Sequence, residues 1–378
     1  MPAWERVARR VLGDAAAHIR LIGCATPRNL GAELEALAGA FASGAERAPA
    51  FAYAPAPELA AVRRLLGELA SRLAGSGPLG ALYAARAEEL ELEAQLCEQV
   101  GRPAFFALAR RRFAARDAFD RRADALADAW LGAADFSEAH GGLGAAPAPG
   151  TADAAELVRS DDAAHPGSLF NRLRAAVGAE RLAVRVVAVE GLAALAATGP
   201  GVVFVERGRW LSRRATERTV VHELCGHAAP RERALAAPLG LFGCGTARGS
   251  DDQEGRALAL EQAAGWLDAV RRSELALRHR AARRMEEGAS FVDTVQSLAD
   301  TGAPLAARLR VAARAHRGGG LGRERVYLPA YLRATALFRA RPELARVLGC
   351  GRVACEAAAV LAPWTLGGPV HAACDPGP

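Results

Sequence analysis

No lysine occurs anywhere in this sequence; all 48 of its basic residues are arginine. That one-sidedness, alongside abundant Ala and Gly, reads as a bias toward GC-rich codons, so the formal charge of +6 is weak evidence for an acidic partner. Aromatic residues make up only 6% of the chain, and none is interleaved with the arginine run Arg110 to Arg112 to stack a base. Such runs are expected to be solvated helix faces rather than a phosphate-binding stripe, and no nucleic-acid partner is expected.

Seven cysteines stand at scattered positions and make no closely spaced even framework, which excludes a small disulfide-stapled scaffold. Long hydrophobic runs are missing too. No stretch approaches the roughly 18 uncharged apolar residues of a membrane span, and the longest charge-free runs, such as Gly191 to Val205, are broken by Gly-Pro. The first residues, MPAWERVARRVLGDAAAHIRLIG, hold no continuous apolar core with a small-residue cleavage site. A soluble protein of a reduced cytoplasm, with no membrane partner, is the expectation.

What is present is enough apolar material, 51% of residues, to fill a large core. From Pro2 to about Phe136 the chain is dense in Ala, Leu, Arg and Glu, with Leu59, Val62, Leu65, Leu66 and Leu69 at helical spacing. Only Pro49 to Pro57 must be extended, because its prolines remove backbone donors. GGLGAAPAPGT, Gly141 to Thr151, has the composition of a flexible connection. Beyond it Leu182 to Val189 and Val202 to Val205 read as strands, Arg213 to Ala229 as helix, and Gln253 to about Met285 and Tyr327 to about Leu361 as long helical stretches. The expected class is α+β, mostly helical. The expected division is a helical N-terminal region at 1–140, a Gly/Pro/Ala-rich connection at 141–165, a catalytic domain at 166–366 and a flexible tail at 367–378.

Chemistry concentrates in VVHELCGHAAP, where His222, Glu223 and His227 offer two imidazoles and a carboxylate. Zinc favours neutral imidazole, and a catalytic site keeps three protein ligands with one position open. The two histidines are five apart, which on an ideal helix separates them by roughly 140° around the axis rather than the roughly 40° of a four-residue spacing. A π-bulge, or a loosening that Gly226 permits, would bring them together. Taken alone, the pair is equally consistent with an ordinary helical His222 and a His227 facing the helix dipole.

A second cluster, DDQEGRALALEQ, supplies Glu254, 32 residues after His222. Metallopeptidases of the gluzincin type, which this arrangement resembles, take their third ligand from a Glu on a later helix. Asp251, Asp252 and Glu261 are the alternative carboxylates, Asp251 or Asp252 could cap the helix, and Gly255 is expected to let the two helices approach closely.

HELCGH followed by QEGRA resembles the HExxxH and QEGLA pair of the microtubule-associated tyrosine carboxypeptidase family, whose bacterial members are often labelled flavohaemoglobin expression-modulating QEGLA-motif proteins. The resemblance covers most of the chain. TPRN at Thr26 and PAFAYAP at Pro49 resemble its N-terminal landmarks, while GASFVDTVQSL at Gly288, RAHRGGG at Arg314 and RERVYL at Arg323 resemble its C-terminal ones. It implies a gluzincin-like core with a small sheet beside the HExxxH helix, one zinc per chain on His222, His227 and Glu254, and Glu223 as catalytic acid and base. It also implies removal of a C-terminal residue from a peptide or protein, hence a carboxylate-binding Arg. Arg314 and Arg317 are the candidates, with Tyr327 as a donor to the oxyanion.

Departures from the family pattern are Cys225-Gly226 where Gly-Thr is usual, Arg256 where QEGLA has Leu, and Pro329-Ala330 where Arg-Gly is common. Arg256 would face the cleft and alter specificity; Cys225 would serve packing rather than ligation. Two other classes remain: a zinc protein regulating expression without hydrolysis, and a zinc amidase or endopeptidase.

Overall fold

The structure is a computed structural model and describes residues 2–134, 136, 157–192 and 194–365. Most of the expected connection, residues 141–156, and the expected tail at 367–378 lie outside the described residues.

Among the described residues, seven helices fill the N-terminal part: Glu5–His18, Leu21–Ala25, Leu30–Ala42, Ala60–Leu73, Gly77–Glu98, Ala104–Arg112 and Ala118–Gly132. Between the third and fourth, residues 45–59 carry no helix, as prolines at 49, 55 and 57 require. Helix Ala60–Leu73 buries Leu66, Leu69, Ala70 and Leu73, whereas Leu65 is 54% exposed. One apolar stripe at three- and four-residue steps leaves no room for Leu65 beside Leu66. The arginine run needs a correction as well. Arg110 and Arg111 are exposed, but Arg112 is buried and pairs with Glu89, Glu93 and Asp251, since successive residues turn through about 100° and the third one meets the interior.

Among the described residues, five strands form two small sheets. β1 (Val158–Arg159) pairs antiparallel with β5 (Trp210–Leu211). In the other, β4 (Val202–Glu206) lies between β2 (Arg185–Val189), parallel to it, and β3 (Ala196–Gly199), antiparallel to it. β3 has little strand signal of its own in Ala-Ala-Thr-Gly; its pairing with the Val-rich β4 makes it a strand. Val203 and Val205 of β4 pack with Leu169 and Leu173 of helix Leu169–Ala179 and with Val220 and Ala228.

The chain then runs as one long helical segment, here the histidine helix, through Arg213–Val220, Val221–Ala228 and Ala229–Ala236. Ser212 starts it by accepting the N–H of Ala215. After the short helix Gly240–Cys244 comes Gly249–Ala263, here the glutamate helix, followed by Ala269–Glu286, Phe291–Ser297, Leu305–Gly320, Tyr327–Ala340, Pro342–Leu348 and Ala358–Leu361. One apolar core draws on both ends of the chain, joining Leu12, Leu66, Tyr83, Leu90 and Phe105 to Phe242, Leu258, Leu277, Leu328 and Leu348. Among the described residues, no helix is long and apolar enough to cross a membrane.

Candidate metal centre

From Val221 to Ala228 the histidine helix is a π-helix eight residues long. Its wider turn is visible at the end, where Ala229 N–H donates to the carbonyl of Leu224, five residues back. An i→i+5 turn returns residues five apart to one face, and His222 and His227 accordingly meet, Nε2 to Nε2, at 3.2 Å. The widening spans more than the single turn that the spacing alone asks for.

Glu254 comes to the same point from the glutamate helix. Its Oε2 lies 3.5 Å from His222 Nε2 and 3.8 Å from His227 Nε2, and all three side chains are partly open to solvent. The glutamate helix begins at Gly249, so Glu254 sits in its second turn and Asp251 and Asp252 lie inside its first turn, where they are not caps; the N-cap is Arg248, in the left-handed region. Both aspartates turn away from the cluster. Asp251 accepts from Arg112 at 3.0 Å, and Asp252 from Arg333 at 3.0 Å.

The expected use of Gly255 is corrected. A Cβ there would come within 2.1 Å of the Ala330 backbone, so Gly255 lets helix Tyr327–Ala340 close on the glutamate helix. Contact between the histidine and glutamate helices belongs to Gly226, whose Cβ would lie 2.6 Å from that of Ala257. Arg256 does not face the cleft either. It is 2% exposed and donates from Nη1 to the carbonyl of Cys225 at 2.6 Å, because two residues beyond Glu254 a helix has turned to another side. Cys225 packs with Val177, Leu224, Ala229 and Leu260.

Around the cluster stands a shell that holds its members in place. Glu261, two turns beyond Glu254, accepts a hydrogen bond from His222 Nδ1 at 2.7 Å, which directs Nε2 at His227 and Glu254. Burial raises the Glu261 pKa, but Arg271 and His222 outweigh it and bring it to about 2. Arg323 donates to Glu254 Oε1 at 3.0 Å and to Tyr327 Oη at 2.9 Å, so one guanidinium ties the carboxylate to the buried phenol. Burial opposes ionisation of Glu254, yet His227, His222 and Arg323 hold it well below the usual carboxylate range. Burial likewise disfavours charge on His222, but Glu254 and Glu261 push its pKa up to about 10.

Two imidazoles and one carboxylate, separated by 3.2 to 3.8 Å, suit an ion with bonds of about 2.0–2.2 Å at open, roughly tetrahedral angles. Zinc fits that donor set. Glu223, beside His222 in sequence, is buried and accepts a hydrogen bond from Thr198 Oγ1 of β3 at 2.8 Å.

The remaining candidates gather one step away. Arg314 donates from Nε to Glu324 at 3.0 Å, while Arg317, 5% exposed, lies 3.6 Å from the same carboxylate. Arg278 completes the group at 4.0 Å. Glu324 is fully buried; burial raises its pKa, and Arg314, Arg278 and Arg317 override that to bring it to about 2.

Thr198, Arg323 and Arg278 escape a reading of the sequence because no local pattern marks them; one arginine among 48 basic residues carries no signal. Glu261 could be found, since seven residues from Glu254 is two helical turns on one face. Glu261→Gln is expected to weaken zinc binding by about 10–100-fold, the range for outer-shell partners, as measured by competition with a chelator.

The sequence profile of the microtubule-associated tyrosine carboxypeptidase family matches residues 40–373. The chain belongs to that family. Membership makes it a peptidase of the carboxypeptidase kind, acting as a hydrolase, and is compatible with a peptide or protein substrate. Among curated proteins, no sequence matches the chain.

Proposed function

We propose that the chain is a zinc-dependent carboxypeptidase, tyrosine carboxypeptidase-like, with His222, His227 and Glu254 as the metal ligands and Glu223 as general base and acid. The single observation that carries this reading is the convergence of the three donor atoms within 3.8 Å on a partly open surface, with Glu223 next in sequence to the first of them.

Zinc bound there would supply Lewis-acid polarisation of the scissile carbonyl and a lowered pKa for water, toward about 7. The protein does the rest. Glu223 takes the proton of the attacking water and passes it to the leaving amine; Thr198 holds one of its oxygens and leaves the other to carry the proton. Tyr327 accepts from Arg323, so its own hydroxyl proton is available to the developing oxyanion. Burial raises the Tyr327 pKa against the pull of Arg323, which keeps that proton in place.

Recognition of a free C-terminus falls to the arginines around Glu324. Three guanidiniums face one buried carboxylate, a surplus of positive charge that suits a second carboxylate from the substrate. Arg314 and Arg278 are partly open, with side chains about one-fifth exposed, whereas the buried Arg317 is better placed to support them than to touch substrate. A pair of peptides identical but for a free or amidated C-terminus tests this. Cleavage of the free form alone is expected, and equal cleavage of both would point to an endopeptidase or amidase instead.

A further inference from the structure

Pro230 follows the two histidines closely and has no N–H to give. In the i→i+5 ladder, seen where Ala229 N–H reaches Leu224 O, the donor for the Cys225 carbonyl would be residue 230. In an α-helix it would be Ala229, whose N–H goes to Leu224 instead. Neither ladder therefore supplies a backbone donor to the Cys225 carbonyl, whose residue is only 2% exposed, so a donor from a side chain is needed there.

Arg256 fills that place. Its Nη1 lies 2.6 Å from Cys225 O, and it is among the largest fully buried side chains of the protein. It extends from the helix that also brings Glu254, Glu261 and Ala257 against the π-turn. A proline ring also clashes with the carbonyl four residues back in an α-helix, which for Pro230 is that of Gly226, so the local sequence already disfavours the tighter turn.

We propose that Arg256 is a positioning residue, which supplies the donor that Pro230 withholds and thereby holds the wide turn that points His227 at His222. If the segment tightened to α geometry, Ala229 N–H would return to Cys225 O and His227 would swing away from His222 by roughly 100° around the axis. The metal site would lose a ligand without any change in the ligands themselves. The binding arm of this inference rests on the zinc reading above; the backbone arm does not.

Two readouts test it. Competition with a chelator should show zinc binding about 10–100-fold weaker in Arg256→Met, and largely recovered in Arg256→Lys, which keeps a donor on a long stem. In the zinc-free protein, hydrogen exchange across residues 221–236 should quicken in Arg256→Met and remain as in the wild type over the N-terminal helices. Arg256→Gln, too short to reach the carbonyl, serves as the second variant if Arg256→Met does not fold. Unchanged exchange in the removal variant, or a Lys variant no better than Met, overturns the role. If the wild type takes up no zinc, the metal reading fails, and the exchange measurement alone then decides for or against Arg256.

Discussion

Glu223→Gln is expected to leave zinc in place and to remove hydrolysis, with turnover down by about 10²–10⁴-fold, the range that a positioned acid–base group contributes. The amide keeps the volume of the carboxylate and can still meet the Thr198 hydroxyl, which bonds Glu223 Oε2 at 2.8 Å. It cannot accept a proton from water. Because none of the three converging donor atoms belongs to Glu223, the metal should be indifferent to the change. Zinc stoichiometry and peptide cleavage measured on the same preparation check both halves. Near-normal turnover, or loss of zinc along with activity, would remove Glu223 from the role argued for it.

The opposite pattern is expected at the ligands. His222→Ala, His227→Ala and Glu254→Gln should each lose zinc and, with it, hydrolysis, by more than the about 10–100-fold that an outer-shell substitution costs. A metal that binds the folded chain also stabilises it, by about 2.7 kcal/mol when present at a hundred times its Kd. Zinc should therefore raise the melting temperature of the wild type and leave that of the three variants nearly unmoved. Glu254→Gln keeps a partner for Arg323 in its amide oxygen, so its loss of zinc would not be a consequence of a stranded buried charge. Retention of wild-type metal content in either histidine variant would show that the ion sits elsewhere.

Much of this site is legible in the sequence, and the reason is local. The five-residue spacing of His222 and His227 asks for a widened turn if the two are to meet, and Gly226 stands where such a turn can loosen. Glu254 is marked by its neighbours Gln253, Gly255 and Ala257. What the sequence conceals are contacts made across the fold. Thr198 belongs to a strand that exists because β4 pairs with it, and Arg323 reaches Glu254 from 69 residues away. The glycine roles were also hidden: whether Gly226 or Gly255 faces a given neighbour depends on how three helices pack, and the structure gives Gly226 to Ala257 and Gly255 to Ala330. Helix starts carry the same uncertainty, since Gly249 and Ser250 lie before the acidic residues that look like caps.

The fold shows why these long-range contacts hold the site. The π-turn lies between β3, which supplies Thr198, and the glutamate helix, which supplies Glu254, Arg256 and Glu261. Arg271, from the next helix, anchors Glu261 at 3.1 Å. Glu261 thus fixes His222 and Arg323 fixes Glu254, and such supports would keep a metal site in shape while one side stays open.

The most direct measurement of the account is a mass spectrum of peptides that differ only in their last residue, taken after incubation with the zinc-loaded wild-type chain. The account predicts the loss of a single C-terminal residue from at least one peptide, abolished by a chelator and restored by zinc. Peptides that all remain intact, or that break at internal bonds, would contradict it.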